Sequence, residues 1–281
     1  MNNSIKNEFV SVIIPVFNRA ALLSRAIKSI LNQTHNKFEI IVVDDNSTEK
    51  VYDVVDSFRD DRVTFIKNSQ NKGVSYSRNI GIKNAKYNLI ALLDSDDEWL
   101  SDKLEYQIDF FRKNPDKNVV HTEEIWIRNG IRVNPKKHHK KNGGDIFMSS
   151  LRLCLMSPSS ILIKKSIFDE YGFFDESFVV CEDYDMWLRI TLCEEVGFVE
   201  KPLIIKYGGH TDQLSRSYPA MDYYRVLSMI KLLNTYNLFS HKKDVVKNMI
   251  VEKSKILLNG ALKRNKNDDA ELYESWIKKY S

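Results

Sequence analysis

The chain has no apolar run approaching the roughly 18 residues that a membrane-spanning helix needs. Its first eight residues, Met1 to Glu8, are polar and lack the apolar centre of a secretion signal. The cytoplasm is therefore the expected location, and any membrane contact would be peripheral, at the inner face. Cysteine is scarce: Cys154, Cys181 and Cys193 are odd in number and form no CxxC pair. That argues against a disulfide framework or a zinc site and for buried thiols in a reducing compartment. Charge of one sign is not in excess either. With 42 basic and 38 acidic residues the net charge is +4, which lacks the basic stripe of a nucleic-acid partner. The single dense basic run, Lys136 to Lys141, reads as a solvated loop or as a contact with an anionic acceptor or lipid surface. There is no GxGxxG after a strand, no GxxxxGK[ST] loop and no GxSxG elbow. Dinucleotide binding, P-loop phosphotransfer and α/β-hydrolase chemistry lose support accordingly.

What is present begins with Leu89-Ile90-Ala91-Leu92-Leu93-Asp94-Ser95-Asp96-Asp97. A short unbroken apolar run suits a strand buried on both faces of a parallel sheet. Carboxylates cannot continue into that interior without a large desolvation cost, so they mark the strand's carboxyl end. Ligands of open α/β sheets bind at that edge. A hard divalent ion carrying a phosphate substrate would relieve the repulsion there; a solvated turn with a helix cap is the plainer reading. Strands are expected at Val10 to Val16, Glu39 to Val43, Val63 to Ile66 and Leu89 to Leu93. Helices are expected at Ala20 to Leu31, Val51 to Phe58 and Ser75 to Ala85. This alternation implies βαβ units around a parallel sheet. The strands ending in Asn18-Arg19, Asp44-Asp45 and Asp94 to Asp97 then share one edge. Further on, the pattern predicts a helix over Asp102 to Arg112, with Ser101 or Asp102 as cap. It predicts a hairpin around Asn129-Gly130, a strand over Ser159 to Ile163 and a helix over Asp183 to Cys193. From Ala220 the chain reads as mostly helical, with a polar break near Asn265 to Asp269.

Five further stretches carry chemistry-bearing residues, the first three with a structural reading beside them. Asp44-Asp45-Asn46-Ser47 offers acceptors to a ligand or caps the next helix. Asn71 to Asn79 combines a glycine turn, a helix start and Arg78, which suits an anion or a plain surface helix. Cys181 to Trp187 places carboxylates at a helix start, where the macrodipole favours them anyway. Asp183 and Trp187, four apart, share a helix face and would set a general base beside an aromatic wall. His210, after Gly208-Gly209, is a ligand candidate for manganese rather than magnesium. Ser157-Pro158-Ser159-Ser160 is a further polar stretch.

The ordered series VSVIIPVFNR, EIIVVDDNS, NKGVSYSRNIGI, LIALLDSDDEW and CEDYDMWLRI, over roughly residues 9 to 215, resembles glycosyltransferase family 2. The resemblance implies an α/β chain of GT-A fold: a Rossmann-like, mostly parallel central sheet flanked by helices, here with a helical C-terminal extension. It implies a tail at 1–8, a GT-A domain at 9–218 (nucleotide-binding half 9–100, acceptor-binding half 101–218) and the extension at 219–281. Pro15, Val16 and Asn18 would line the nucleotide pocket, with Asp45 on the base, commonly uracil, and Asp44 beside it. Arg78 would lie near the diphosphate, Asp94 near the ribose and Asp96 on a Mn²⁺ or Mg²⁺ ion, with His210 completing the metal shell. Asp183 would be the catalytic base, while Glu182 and Trp187 shape the acceptor side and Ser159 lies near the donor sugar. The implied reaction is inverting transfer from a nucleotide sugar, UDP-linked in many members, to a glycan, glycolipid or protein acceptor in bacterial surface-glycan synthesis. A sugar nucleotidyltransferase and an inactive sugar-nucleotide or glycan-binding module are the competing classes.

Overall fold

A computed structural model of the chain describes residues 8–133, 140–209 and 220–281. Among them, nine strands form one sheet. The first four, β1 (Val10–Val16), β2 (Phe38–Asp44), β3 (Val63–Lys67) and β4 (Leu89–Leu92), run parallel in the order β3-β2-β1-β4. Helices α1 (Ala20–Leu31), α2 (Val51–Asp56) and α3 (Val74–Asn84) make the crossovers. Side chains alternate faces along a strand, and both faces are covered. Val10, Val12, Ile14 and Val16 of β1 join one apolar cluster with α1, while Ile13 joins another with β4's Ile90 and Leu92. The α3 helix lies hard against the second face, because a Cβ at Gly81 would come 2.3 Å from Ile13 Cγ2.

Pro15 stands in a central strand without breaking it. The last β1 residue paired with β4 is Ile13, whose carbonyl accepts from Leu93 N–H at 3.0 Å. Pro15, two residues on, points its donor-less nitrogen into the gap where β4 has turned away.

The other half of the sheet is mixed. Helix α4 (Lys103–Lys113) follows β5 (Glu98–Trp99), and β6 (Val119–Arg128) and β7 (Ile131–Val133) form the expected hairpin. Asn129 (φ 50) and Gly130 (φ 77) make its turn, the left-handed pair that hairpins favour. A 3₁₀ turn at Pro158–Ser160 precedes β8 (Leu162–Lys164), so the strand starts later than the sequence suggests; Pro158 opens that turn. Strand β8 runs antiparallel to both β4 and β6. Strand β9 (Gly197–Gly208), unanticipated, runs parallel to β6 with bulges beside Glu123. Its Ile204 and Ile205 pair with Trp99 and Glu98 of β5. The chain leaving β4 therefore spans the sheet to β9, and Asp94 to Asp97 form that span.

Helices α5 (Phe147–Ser150), α6 (Ser166–Tyr171) and α7 (Glu182–Thr191) complete this half. The C-terminal helices α8 (Met221–Thr235), α9 (Ser240–Leu262) and α10 (Asn267–Tyr280) follow, with the polar break where it is expected. They share an apolar cluster with Phe147 and Leu151 around α5 and with Tyr184 and Leu188 of α7. No helix among the described residues is long and apolar enough to cross a membrane. All three cysteines are free; Cys181 is buried, Cys154 half-buried and Cys193 exposed rather than buried as expected.

Candidate functional site

Each carboxylate of the acidic loop has a cation supplied by a different element. Asp94 accepts from Arg78 Nη2 of α3 at 2.8 Å, and Asp96 from Arg19 Nη1, ahead of α1, at 2.7 Å. Asp97 has Lys206 Nζ of β9 at 3.8 Å. Ser159, fully buried, locks the loop from behind: its hydroxyl donates to Asp97 at 2.6 Å and accepts from Asp94 N–H at 3.1 Å. Burial pushes the Asp94 carboxyl up, but Arg78, Lys206 and Arg19 outweigh it and hold it below the usual range. Asp96 goes up, through burial that Arg19 only partly offsets. Asp97 is pushed to about 7 by burial, against Lys206, with Asp94 and Asp96 adding repulsion.

The neighbouring strand ends are stapled together. Asn18, at φ 48, gives its N–H to Ser47 Oγ at 2.8 Å and accepts from Thr48 N–H at 2.9 Å. Ser47 is thus bound to the β1 loop, and α2 has no side-chain cap. Asp44, 1% exposed, accepts from Ser47 N–H at 3.0 Å. Asp45, 3% exposed, accepts from Lys72 N–H (2.9 Å), Gly73 N–H (2.7 Å) and Asn68 Nδ2 (2.8 Å). The anion at the entrance to α3 is therefore the protein's own carboxylate. Pro15 and Val16 are buried beside this edge. Asp102 likewise does not cap α4; it pairs with Lys201.

Across the acidic loop, α7 starts from Cys181, whose φ of 61 turns the chain sharply into the helix. Glu182 accepts from Arg78 Nη1 at 2.6 Å, so one buried guanidinium joins α7 to β4. Burial raises Glu182, Arg78 opposes and Asp183 adds repulsion, leaving it above the usual range. Asp183 is half-exposed. Its Oδ1 accepts from Tyr184 N–H at 2.7 Å, and its Oδ2 faces the Cys154 thiol at 3.5 Å. Burial and Asp183 hold that thiol protonated, as a donor. Trp187, one turn on, is 2% exposed and meets Phe174 edge-on at 6.0 Å. Neither Trp187 nor Glu182 presents a surface to an acceptor; both belong to the packed interior.

Several residues were not legible as site residues. Glu124 of β6 is buried and accepts from Ser157 Oγ at 2.7 Å and Trp126 Nε1 at 3.0 Å, with Lys141 Nζ at 2.8 Å. Burial raises it, but Lys141 and Lys206 bring it below the usual range. Burial lowers Lys206, yet Asp97, Glu124, Asp94 and Asp183 together keep it firmly protonated. Lys206 thus feels the charge of both the acidic loop and Asp183. Within 206–209 only polar spacing beside a glycine pair hinted at it. His210 and Lys136 to His139 lie outside the described residues.

No group of three or more metal-binding side chains occurs among the described residues. Magnesium-type sites, however, use one or two carboxylates and take the remaining ligands from phosphate and water. Asp94 and Asp96 supply hard oxygens of that kind in a loop with excess negative charge, and fit such an ion.

A sheet whose carboxyl edge carries an acidic loop, faced by a helix that begins with two more carboxylates, defines a GT-A fold. The S. aureus TarS 1-349 structure in complex with UDP-GlcNAc has a similar fold (TM-score 0.72, 18% identity, 96% of this chain and 91% of that one). So does the mannosyltransferase PcManGT of Pyrobaculum calidifontis in complex with GDP-Man and Mn2+ (TM-score 0.67, 14% identity, 96% and 83%). The Glycosyl transferase family 2 profile matches residues 11–172, and the chain belongs to that family. It is similar to an uncharacterized glycosyltransferase of Rickettsia conorii, 33% identical over 196 residues, 69% of this chain and 32% of the relative. The chain thus spans about a third of that curated relative's length. It is also similar to WfaP of Escherichia coli, a UDP-Glc:alpha-D-GlcNAc-diphosphoundecaprenol beta-1,3-glucosyltransferase, 30% identical over 186 residues, 65% of this chain and 70% of the relative.

Proposed function

We propose that this chain is an inverting glycosyltransferase that moves a sugar from a nucleoside diphosphate sugar to an acceptor hydroxyl. The observation that carries the reading is the buried Arg78 guanidinium, which ties Asp94 of the acidic loop (2.8 Å) to Glu182 (2.6 Å), the residue beside Asp183 at the start of α7. Asp183 is half-exposed and anchored on both oxygens, so it is positioned to take the acceptor's proton as that oxygen attacks. One displacement from the face opposite the leaving group inverts the anomeric centre. Asp94 and Asp96 would hold a divalent cation, Mn²⁺ or Mg²⁺, whose chemistry is to offset charge on the departing diphosphate. Arg78, with both terminal nitrogens bonded to Asp94 and Glu182, sets the distance between the acidic loop and α7. Asp44, Asp45 and Asn18 hold the loops that would receive the nucleoside.

A UDP-linked hexose or N-acetylhexosamine is the donor class we favour, supported by the sugar nucleotides in the names of TarS and WfaP. An undecaprenol-linked acceptor is supported by the names of WfaP and its Escherichia coli counterpart WfgD, and we assign the reaction to surface-glycan synthesis at the inner face of the membrane. The test is a panel of sugar nucleotides screened for thermal stabilisation with Mn²⁺, followed by transfer to lipid-linked acceptors. A ligand that binds only the native state raises the melting temperature. Stabilisation by a UDP-sugar with metal-dependent transfer is expected; no response to any sugar nucleotide refutes the reading.

A further inference from the structure

Lys206 differs from the other cations around the acidic loop and Glu124 in how it is held. Arg78 meets Glu182 at 2.6 Å, Arg19 meets Asp96 at 2.7 Å and Lys141 meets Glu124 at 2.8 Å. The two arginine pairs are hydrogen-bonded. Lys206 Nζ comes no closer than 3.8 Å to its nearest carboxylate, Asp97 Oδ2, with the Trp126 ring at 5.6 Å. It makes no hydrogen bond among the described residues, although its side chain is only 22% exposed. An ammonium carries three donors. Asp97 needs no closer lysine, because Ser159 already donates to it at 2.6 Å. Lys206 is therefore a cation held beside the acidic loop with its donors unspent.

Its position narrows what would use them. Asp97 is its nearest carboxylate, and Glu124, Asp94 and Asp183 are close enough for their charge to act on it. A lone anion would be repelled by four carboxylates unless it bonded Lys206 or arrived with a cation. We propose that Lys206 binds the donor's diphosphate at the phosphate that bears the sugar, and stays on that phosphate as it leaves. This assignment rests on the transferase reading above and adds a residue to it. In the reaction the anomeric C–O bond breaks with its electron pair remaining on the phosphate oxygen. The acceptor oxygen forms the new C–O bond, and its proton passes to Asp183. Lys206 keeps its own protons and gives a charge-assisted hydrogen bond to the oxygen that gains charge. A diphosphate could also belong to a lipid-linked acceptor; the donor is favoured because Lys206 abuts the acidic loop, the expected nucleotide side.

The test is calorimetric titration of UDP, UMP and uridine into the wild-type chain, Lys206→Gln and Lys206→Arg, all with Mn²⁺. Lys206→Gln is expected to weaken UDP about tenfold or more, to leave uridine within twofold and to lower kcat further. Lys206→Arg should recover much of the UDP affinity. If Lys206→Gln fails to fold because Asp97 loses its counter-charge, Lys206→Gln combined with Asp97→Asn gives the same readout. Unchanged UDP affinity in the variant, including the case where only binding of a lipid-diphosphate acceptor falls, overturns the assignment while the transferase reading stands. A wild-type chain that binds no nucleoside diphosphate overturns both.

Discussion

Replacing Arg78 with Met removes one guanidinium and strands two carboxylates. Arg78 is 3% exposed and forms two charge-assisted bonds, 2.6 Å to Glu182 and 2.8 Å to Asp94. Breaking a buried ion pair by deleting one partner costs roughly 3–5 kcal/mol, since the other is left uncompensated. Against a total stability of about 5–15 kcal/mol this is a large fraction. The melting temperature should fall by about 6–20 °C. The loss must also depend on pH. Asp94 is held below the usual carboxylate range in the native chain, so its contribution is present above pH ~4 and fades as pH falls through its folded value. In the variant both carboxylates take up protons readily, so the deficit against wild type is largest near pH 7.5 and shrinks toward pH 5. Urea unfolding at both pH values measures this. Adding Glu182→Gln should return part of the stability, because one of the two stranded charges is gone. A variant within about 1 kcal/mol of wild type at pH 7.5, or one with an equal deficit at pH 5, would refute the reasoning.

Asp183→Asn should abolish transfer, with kcat down by about 10²-fold or more, while UDP affinity stays within a few-fold; near-normal turnover removes Asp183 from the role of base. Asp97→Asn should gain stability relative to wild type as pH rises from 5 to 8. Asp97 titrates near 7 in the folded chain, so the wild type loses stability as pH climbs from ~4 toward 7; a flat difference in urea melts contradicts this. Gly81→Val should destabilise by about 1–3 kcal/mol or more, because even a Cβ would collide with Ile13 at 2.3 Å; a wild-type melting curve would show that α3 has room to shift.

The parallel half of the sheet was legible because its strands are unbroken apolar runs that stop at polar residues. Both signals are local. Strand β9 was not, since Pro202 and the Glu200-Lys201 pair interrupt any alternation, and the strand is held by bulged pairing with β6. Strand β5 has two residues, too few for a period. The acidic residues of the candidate site stood out through clustering, but their cations did not. Arg19 is 77 residues from Asp96, and Lys206 is farther still from Asp97. Nothing local distinguishes a lysine inside a cavity from one on a surface. Trp187 misled for the opposite reason. Helical spacing from Asp183 sets its angle on α7, yet not whether that angle meets solvent or Phe174. Asp45 stood out as an acceptor for a ligand, whereas its oxygens mostly hold the Lys72-Gly73 backbone.

Tyr184 and Leu188 of α7 lie under the last three helices and share an apolar cluster with Met229, Leu232 and Ile250. The helix presenting Asp183 is therefore clamped between two bodies, sheet behind and tail in front. Trimming the chain at residue 220 would bare a greasy stripe on the very segment whose aim matters most. The final sixty or so residues, though they bear no recognisable signature, are on this view ballast for the reacting carboxylate rather than an appendage.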